Sequence, residues 1–320
     1  MLMKKYYLLV LFFVLGLLSS FAQQRPQYTQ YMVNPFLLNP AVSGTEDYAD
    51  IRAGYRKQWA GFQGSPRTMY VSGHTNIGKQ LVTNNRSRNK KNGFHGIGGI
   101  ITNDAIGPTT TTTVSIAYSY HLKVSKKVFA SLGLMGGFNQ FSLVGSKLIA
   151  ADANDGLIGG QSKIGMGDIT LGGWVYSDRF YAGVSLAQLA PSIQFTQTGQ
   201  KNDYLLTKHY FIIVGYSIPL GYDFKLIPSV CIKGASPAPL SYDINAKLRF
   251  KDFLWGGLSY RSTDAVAAMV GIVINNTFDI SYSYDYVTSD INNYTGGSHE
   301  IVVGYRLRHQ GRVICPSNFW

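Results

Sequence analysis

The chain has 320 residues and is 45% hydrophobic but only 14% charged, with 22 tyrosines and 35 glycines. Its net charge of +12 would suit nucleic acid, but the export signal at its start argues against that partner and for a basic interior or a membrane-facing rim. Two cysteines, Cys231 and Cys315, are too few for a disulfide framework at this length, and they lack metal-site spacing.

Lys4 and Lys5 precede an apolar run from Tyr6 to Leu18, and Ser20-Phe21-Ala22 sets small residues where a signal peptidase reads. Residues 1–22 therefore read as a secretory signal peptide, too short for a stable membrane span. Gln23, not Cys, follows the cut, so no lipoprotein is expected. The mature chain would carry 27 basic residues against 17 acidic ones, a net charge of about +10.

Residues 23–47 contain "QYTQYMVNPFLLNPAVSG", Gln27 to Gly44, which alternates like neither a strand nor a helix. In Asn34-Pro35 and Asn39-Pro40 the Asn can cap and the Pro can start a short helical turn. Tyr31, Met32, Phe36, Leu37 and Leu38 then form an apolar knot between two bends. The expected place for this knot is the periplasmic mouth of a barrel or just inside its lumen. Whether it only stabilises the barrel or also presents a partner surface stays open.

From residue 48 onward the period is two. In 111–122 the even positions run Thr, Val, Ile, Tyr, Tyr, Leu and the odd ones Thr, Thr, Ser, Ala, Ser, His. In 241–250 Tyr242, Ile244, Ala246, Leu248 and Phe250 alternate with Ser241, Asp243, Asn245, Lys247 and Arg249. Strand side chains point alternately to opposite faces, so these are amphipathic strands. The pattern predicts fourteen, at 48–57, 66–76, 94–104, 109–123, 127–143, 166–176, 179–187, 208–218, 222–233, 241–250, 253–261, 265–275, 277–287 and 298–308. Every second link tends to be short ("KVSKK", "YSDR", "PLGYD", "KD", "NN"), whereas 145–165, 188–207 and "VTSDINNYTGG" are long. That asymmetry suits an outer-membrane barrel with periplasmic turns and external loops. The long basic link "GKQLVTNNRSRNKKN" breaks the rule. An even strand count puts both termini in the periplasm.

A soluble sandwich would also alternate, with its apolar face inward. Here the apolar faces carry Tyr118, Tyr120, Tyr284 and Tyr286 near strand ends, as interfacial girdles do. The opposite faces carry Arg52, Arg179, Asp243, Lys247, Asp279, Glu300 and Arg306, which a dry core would bury at high cost. The predicted fold is therefore all-β: a closed 14-stranded antiparallel transmembrane β-barrel over 48–308, because lipid tolerates no open edge. It has a short N-terminal periplasmic or plug segment (23–47) and a periplasmic C-terminal tail (309–320). A Cys231–Cys315 bridge is not expected, since about 25 Å of apolar wall would separate the two.

The six histidines are scattered, and no HExxH, GxSxG or P-loop pattern occurs. No catalytic, cofactor-binding or metal-binding residues are assigned. His121 and His209 read as barrel histidines, and the glycine pairs in "FHGIGGI", "LMGGF" and "LGGWVY" as sites of close approach or curvature.

Tyr28 to Ile77 resembles the start of the PorP/SprF family, outer-membrane proteins of the type IX secretion system in the Bacteroidota. The likeness rests on two compound motifs. The first supplies Gln30, Tyr31, Met32, Asn34, Pro35, Asn39, Pro40, Ala41 and Gly44. The second supplies Tyr55, Arg56, Lys57, Gln58, Trp59, Gly61, Phe62, Gly64 and Pro66. Family-motif or partner-contact candidates are Tyr31, Asn34, Pro35, Phe36, Leu37, Asn39, Pro40, Gly44, Tyr55, Arg56, Trp59, Gly61 and Phe62. Trp59 and Phe62 suit either an interfacial anchor or an exposed contact for cargo. The resemblance implies a non-enzymatic binding role in secretion or surface attachment of proteins with a C-terminal sorting domain, among them adhesins and gliding-associated proteins. Implied partners are outer-membrane lipid, the periplasmic side of the secretion machinery and that cargo. The competing reading is a small-solute diffusion porin or transporter.

Overall fold

A segment that alternates Phe278, Ile280, Tyr282, Tyr284 and Tyr286 with Asp279, Ser281, Ser283 and Asp285 can be buried on one side only. In the computed structural model it is the polar side that is buried: the five apolar side chains are exposed and the four polar ones enclosed. The same inversion holds in the segment 238–250, where Tyr242, Ile244 and Leu248 face out while Asp243, Asn245, Lys247 and Arg249 are enclosed. An apolar exterior around an ionic interior is the signature of a barrel solvated by lipid. The structure describes residues 25–79, 92–145, 161–190, 194–196, 207–235, 238–262 and 264–308. The expected signal peptide (1–22), most of the basic link and the expected C-terminal tail (309–320) lie outside the described residues.

The strands are β1 (Tyr48–Lys57), β2 (Arg67–Ile77), β3 (Gly93–Ile106), β4 (Thr109–Lys123), β5 (Phe129–Val144), β6 (Gln161–Tyr176), β7 (Phe180–Ala187), β8 (Gln194–Thr196), β9 (His209–Tyr216), β10 (Ile218–Leu220), β11 (Phe224–Ala235), β12 (Ala238–Phe250), β13 (Leu254–Arg261), β14 (Ala265–Ile274), β15 (Phe278–Val287) and β16 (Ser298–Arg308). Each pairs antiparallel with its neighbour, and β1 closes on β16 over ten residue pairs, Tyr48 opposite Arg308 to Lys57 opposite His299. β10 prolongs β9 on the same partner, β11, after a break at Ser217. Pro228, which has no N–H to give, stands on β11 beside that break. β8 is a three-residue addition to the edge of β6. The ring is thus a closed fourteen-stranded barrel.

The links 124–128, 177–179, 221–223, 251–253 and 275–277 all lie at one end, called here the turn end. In two of them Lys251-Asp252 and Asn275-Asn276 take positive φ, 47° and 56°, 52° and 53°. That backbone matches the strand twist in a two-residue hairpin, and Asn and Asp tolerate it best. The links 58–66 and 288–297 lie at the opposite, loop end. Arg179 corrects the sequence reading: it sits exposed in a turn, not on the inner face of a strand.

An eight-stranded barrel can fill itself with side chains, but a fourteen-stranded one is wider. Here the added space is taken by residues 28–47, all of them buried. They form three single 3-10 turns, Gln30–Met32, Pro35–Leu37 and Pro40–Val42, the last two opened by the Asn-Pro pairs. Only Asn39 caps as expected, its Oδ1 accepting from Ala41 N–H at 2.9 Å. The wall makes room with glycine: Phe36 lies against Gly98, Ala41 against Gly133, Asn39 against Gly172 and Ser43 against Gly96.

The plug lies inside the lumen, and it enters from the loop end although the even strand count puts the chain's start on the side of the short turns. Thr29 and Gln30 bond Glu300 near the loop-end start of β16, while Ser43 and Gly44 reach His121 and His74 toward the turn end. The chain therefore descends the lumen from the loop end to the start of β1. Only the barrel's own first and last strand ends meet at the turn end. Gly44, at φ +80°, makes the final bend, and a Cβ there would stand 2.7 Å from Gly96 Cα. Replacing it by Ala should cost about 1–3 kcal/mol, read as a lower urea midpoint of the refolded barrel.

Candidate functional site

Two sequence motifs meet inside the barrel. The first builds the plug, the second the end of β1 and the loop 58–66, and Arg56 joins them. Its Nη1 donates to Thr29 Oγ1 at 2.7 Å and to Glu300 Oε2 at 3.2 Å, and its Nη2 to Asp285 Oδ2 at 2.8 Å. Thr29 N–H and Oγ1–H then donate to Glu300 and Asp285, each at 2.7 Å. Gln30 Nε2 donates to the Glu300 carbonyl at 2.9 Å, and Ser281 Oγ donates to Gln30 Oε1 at 2.5 Å. Arg261 adds a second guanidinium, 2.9 Å from Asp264 and 3.7 Å from Asp285. A second cluster lies lower in the lumen, where Arg52 and Arg306 pair with Asp50 and Asp279 at 3.0–3.1 Å. At both clusters the buried charges face opposite charges, so this side of the lumen is ionic but balanced.

The remaining plug residues are each held by the wall. Tyr31 OH accepts from Asn245 at 2.7 Å, and Lys233 Nζ lies 5.0 Å from its ring centre. Asn34 Nδ2 donates to Ser72 at 2.8 Å, and Phe36 packs edge-on to His74. Asn39 Nδ2 donates to the carbonyls of Gly173 and Val184, each at 3.1 Å. His121 Nε2 donates to the Ser43 carbonyl at 2.7 Å, with Tyr176 OH on its other nitrogen at 3.0 Å. Tyr31, Asn34, Pro35, Phe36, Leu37, Asn39, Pro40 and Gly44 are all buried. A partner cannot touch them while the plug is seated.

The second motif separates. Tyr55 faces outward, Arg56 inward. Trp59 takes φ 51°, Gly61 94° and Gly64 74°, which folds the loop back on itself. Ala60 N–H donates to the Gly297 carbonyl, and Gly296 N–H to the Ala60 carbonyl, both at 2.7 Å. The loop is thus tied to the link between β15 and β16. Phe62 stays 48% exposed. Trp59 does not sit in the lipid girdle; it lines a cavity of about 450 Å³ at the loop end of the lumen. The plug, through Tyr28 and Leu37, forms part of that cavity's lining, and Thr102, Asp104, Thr111, Thr113, Asn139 and Asp168 project from β3 to β6. None of these strand residues was singled out in the sequence, although each falls on the inner face of its predicted strand.

His209 bonds Gln188 and the Thr207 carbonyl, with no nucleophile between. Among the described residues no group of three or more His, Cys, Asp or Glu side chains could hold a metal ion. Cys231 is a free, buried thiol, and Cys315 lies outside the described residues.

Among solved structures the chain is similar to Omp33 of Acinetobacter baumannii (9% identity, covering 83% of this chain and 100% of that one, TM-score 0.47). It is also similar to the toluene transporter TbuX of Ralstonia pickettii (9%, 88% and 93%, 0.49) and the toluene transporter TodX of P. putida (8%, 86% and 94%, 0.46). No curated protein matches the sequence. A family model described as type IX secretion system membrane protein PorP/SprF matches residues 20–305. With an apolar outer wall, a closed ring and that match over most of its length, the chain is an outer-membrane protein and belongs to the PorP/SprF family of the type IX secretion system.

Proposed function

We propose that this protein serves type IX secretion by holding proteins with a C-terminal sorting domain at the outer membrane, by binding rather than by conducting them. The observation that carries the reading is the plugged lumen. Residues 28–47 occupy much of it, and hydrogen bonds tie them to the wall from Glu300 at one end to His121 at the other. Passage of a folded domain would require breaking all of those pairs, including the Arg56 ion pairs. Binding at the loop end needs no such change. There the loop 58–66 is braced by backbone hydrogen bonds and presents Phe62 to solvent. On this reading the chain is exported with cleavage after Ala22 in a Bacteroidota-like cell. Its short turns face the periplasmic machinery, and its loops face adhesins or gliding-associated cargo.

Affinity purification from native outer membranes in mild detergent tests this. A co-purifying protein with a C-terminal sorting domain is expected, and Phe62→Ser should cut its recovery several-fold while leaving the barrel's heat-modifiable migration unchanged. Recovery of machinery components with no such cargo, or full recovery from Phe62→Ser, would overturn the cargo assignment.

A further inference from the structure

The plug does not fill the lumen evenly. Hydrogen bonds pull residues 29 and 30 toward β15, β16 and β1, and on the opposite side the loop-end cavity of about 450 Å³ is left against β3 to β6. Its wall holds polar atoms that nothing satisfies. Asp168 is 9% exposed and Asn139 5%, yet Asp168 Oδ1 and Asn139 Nδ2 have no hydrogen-bond partner, nor have Trp59 Nε1 and Arg25 Nη1. Buried polar atoms are nearly always paired; other unpaired atoms lie elsewhere in the lumen, but these four belong to residues that line one open cavity. The cost of leaving them bare falls on the empty protein and is relieved on binding.

We propose that this cavity binds a neutral sugar of mono- to disaccharide size. The orphans include both an acceptor, Asp168 Oδ1, and donors, Asn139 Nδ2, Trp59 Nε1 and Arg25 Nη1. A simple ion satisfies one kind only, whereas sugar hydroxyls donate and accept at once. Thr102, Thr111 and Thr113 add hydroxyls along the same wall, two of them in register across β3 and β4. Trp59 and Tyr28 are aromatic residues of the lining, the residue type that packs on the C–H face of a pyranose. A peptide end also carries N–H and C=O groups, but it brings a full charge that the mixed lining of Asp104, Asp168 and Arg25 attracts from one side and repels from the other. An uncharged ligand avoids that repulsion. The volume lies in the range of small-molecule pockets.

The test uses the full mature chain in dodecyldimethylamine oxide, a detergent without a sugar headgroup. Saturation-transfer NMR is recorded with glucose, galactose, mannose, N-acetylglucosamine, lactose and maltose, beside a lysine-containing tetrapeptide. Saturation of at least one sugar is expected, with affinity falling at least tenfold in Asp168→Leu. Should that variant fail to assemble, Trp59→Phe, which removes the indole N–H and keeps a ring, carries the same expectation. Competition by outer-membrane lipopolysaccharide would mark a lipid-borne sugar, and its absence a free one; both support the site. No sugar signal, a sugar signal unchanged in the assembled variant, or a signal from the tetrapeptide alone would overturn it. This outcome is independent of cargo recovery.

Discussion

Arg56→Ala should destabilise the refolded barrel by about 3–5 kcal/mol, the cost of breaking a buried ion pair from one side. Arg56 is 2% exposed, and its carboxylate partners Asp285 and Glu300 are 1% and 0% exposed. Its removal takes the guanidinium from Glu300, leaves Asp285 only the more distant Arg261 at 3.7 Å, and takes a donor from Thr29 at the top of the plug. The loss is read from urea titration of tryptophan fluorescence in detergent. Arg56→Lys should lose less, since it keeps the charge but not the fork that reaches Thr29, Asp285 and Glu300 together. Lys225→Ala sets the baseline. Its pair with Asp252 is 30% and 51% exposed on the two sides, and such a surface pair contributes about 0–1 kcal/mol. An Arg56→Ala loss as small as that of Lys225→Ala would mean that the plug is not anchored through this residue.

The purified protein should be silent in planar bilayers, and deletion of residues 28–44 should turn it into a steadily conducting pore. The deletion removes the three 3-10 turns that occupy the lumen and leaves the closed strand ring. Steady current from the intact chain would favour the solute-porin reading. Because the truncated barrel loses packing as well, a second variant holds the plug in place. Ser43 and Ser119 have their Oγ atoms 2.8 Å apart, so cysteines at both positions lie close enough to bridge. Oxidation of that pair should leave silence and cargo recovery unchanged. Cargo recovery lost on oxidation and restored on reduction would show instead that the plug has to move.

The strands were legible because alternation is a local signal. Most of the fourteen predicted spans agree with the observed ones to within three residues. The misses have causes. β6 begins at Gln161, five residues before its predicted start, in the glycine-rich approach "GGQSKIGMG" where alternation is weak. β8 is three residues long, too short to carry a period. The break at Ser217 depends on Pro228 across the ladder. Within the plug, apolar content and the Asn-Pro pairs pointed to a bent, packed segment, but nothing local gave its direction. That is set by Thr29 finding Glu300, 271 residues away. The cavity was hidden for the same reason. Asp104, Asn139 and Asp168 each look like an ordinary inner-face residue until the strands β3 to β6 are laid in order.

The descent of residues 28–47 through the lumen has a consequence for biogenesis. A polypeptide cannot easily be drawn end to end through a ring already laced by continuous ladders, least of all one whose inner wall is ionic. The segment has to be laid against the curling sheet while β1 and β16 are still apart. Zipping of that seam is then the last event, and residues 28–47 act as a former around which the wall is rolled.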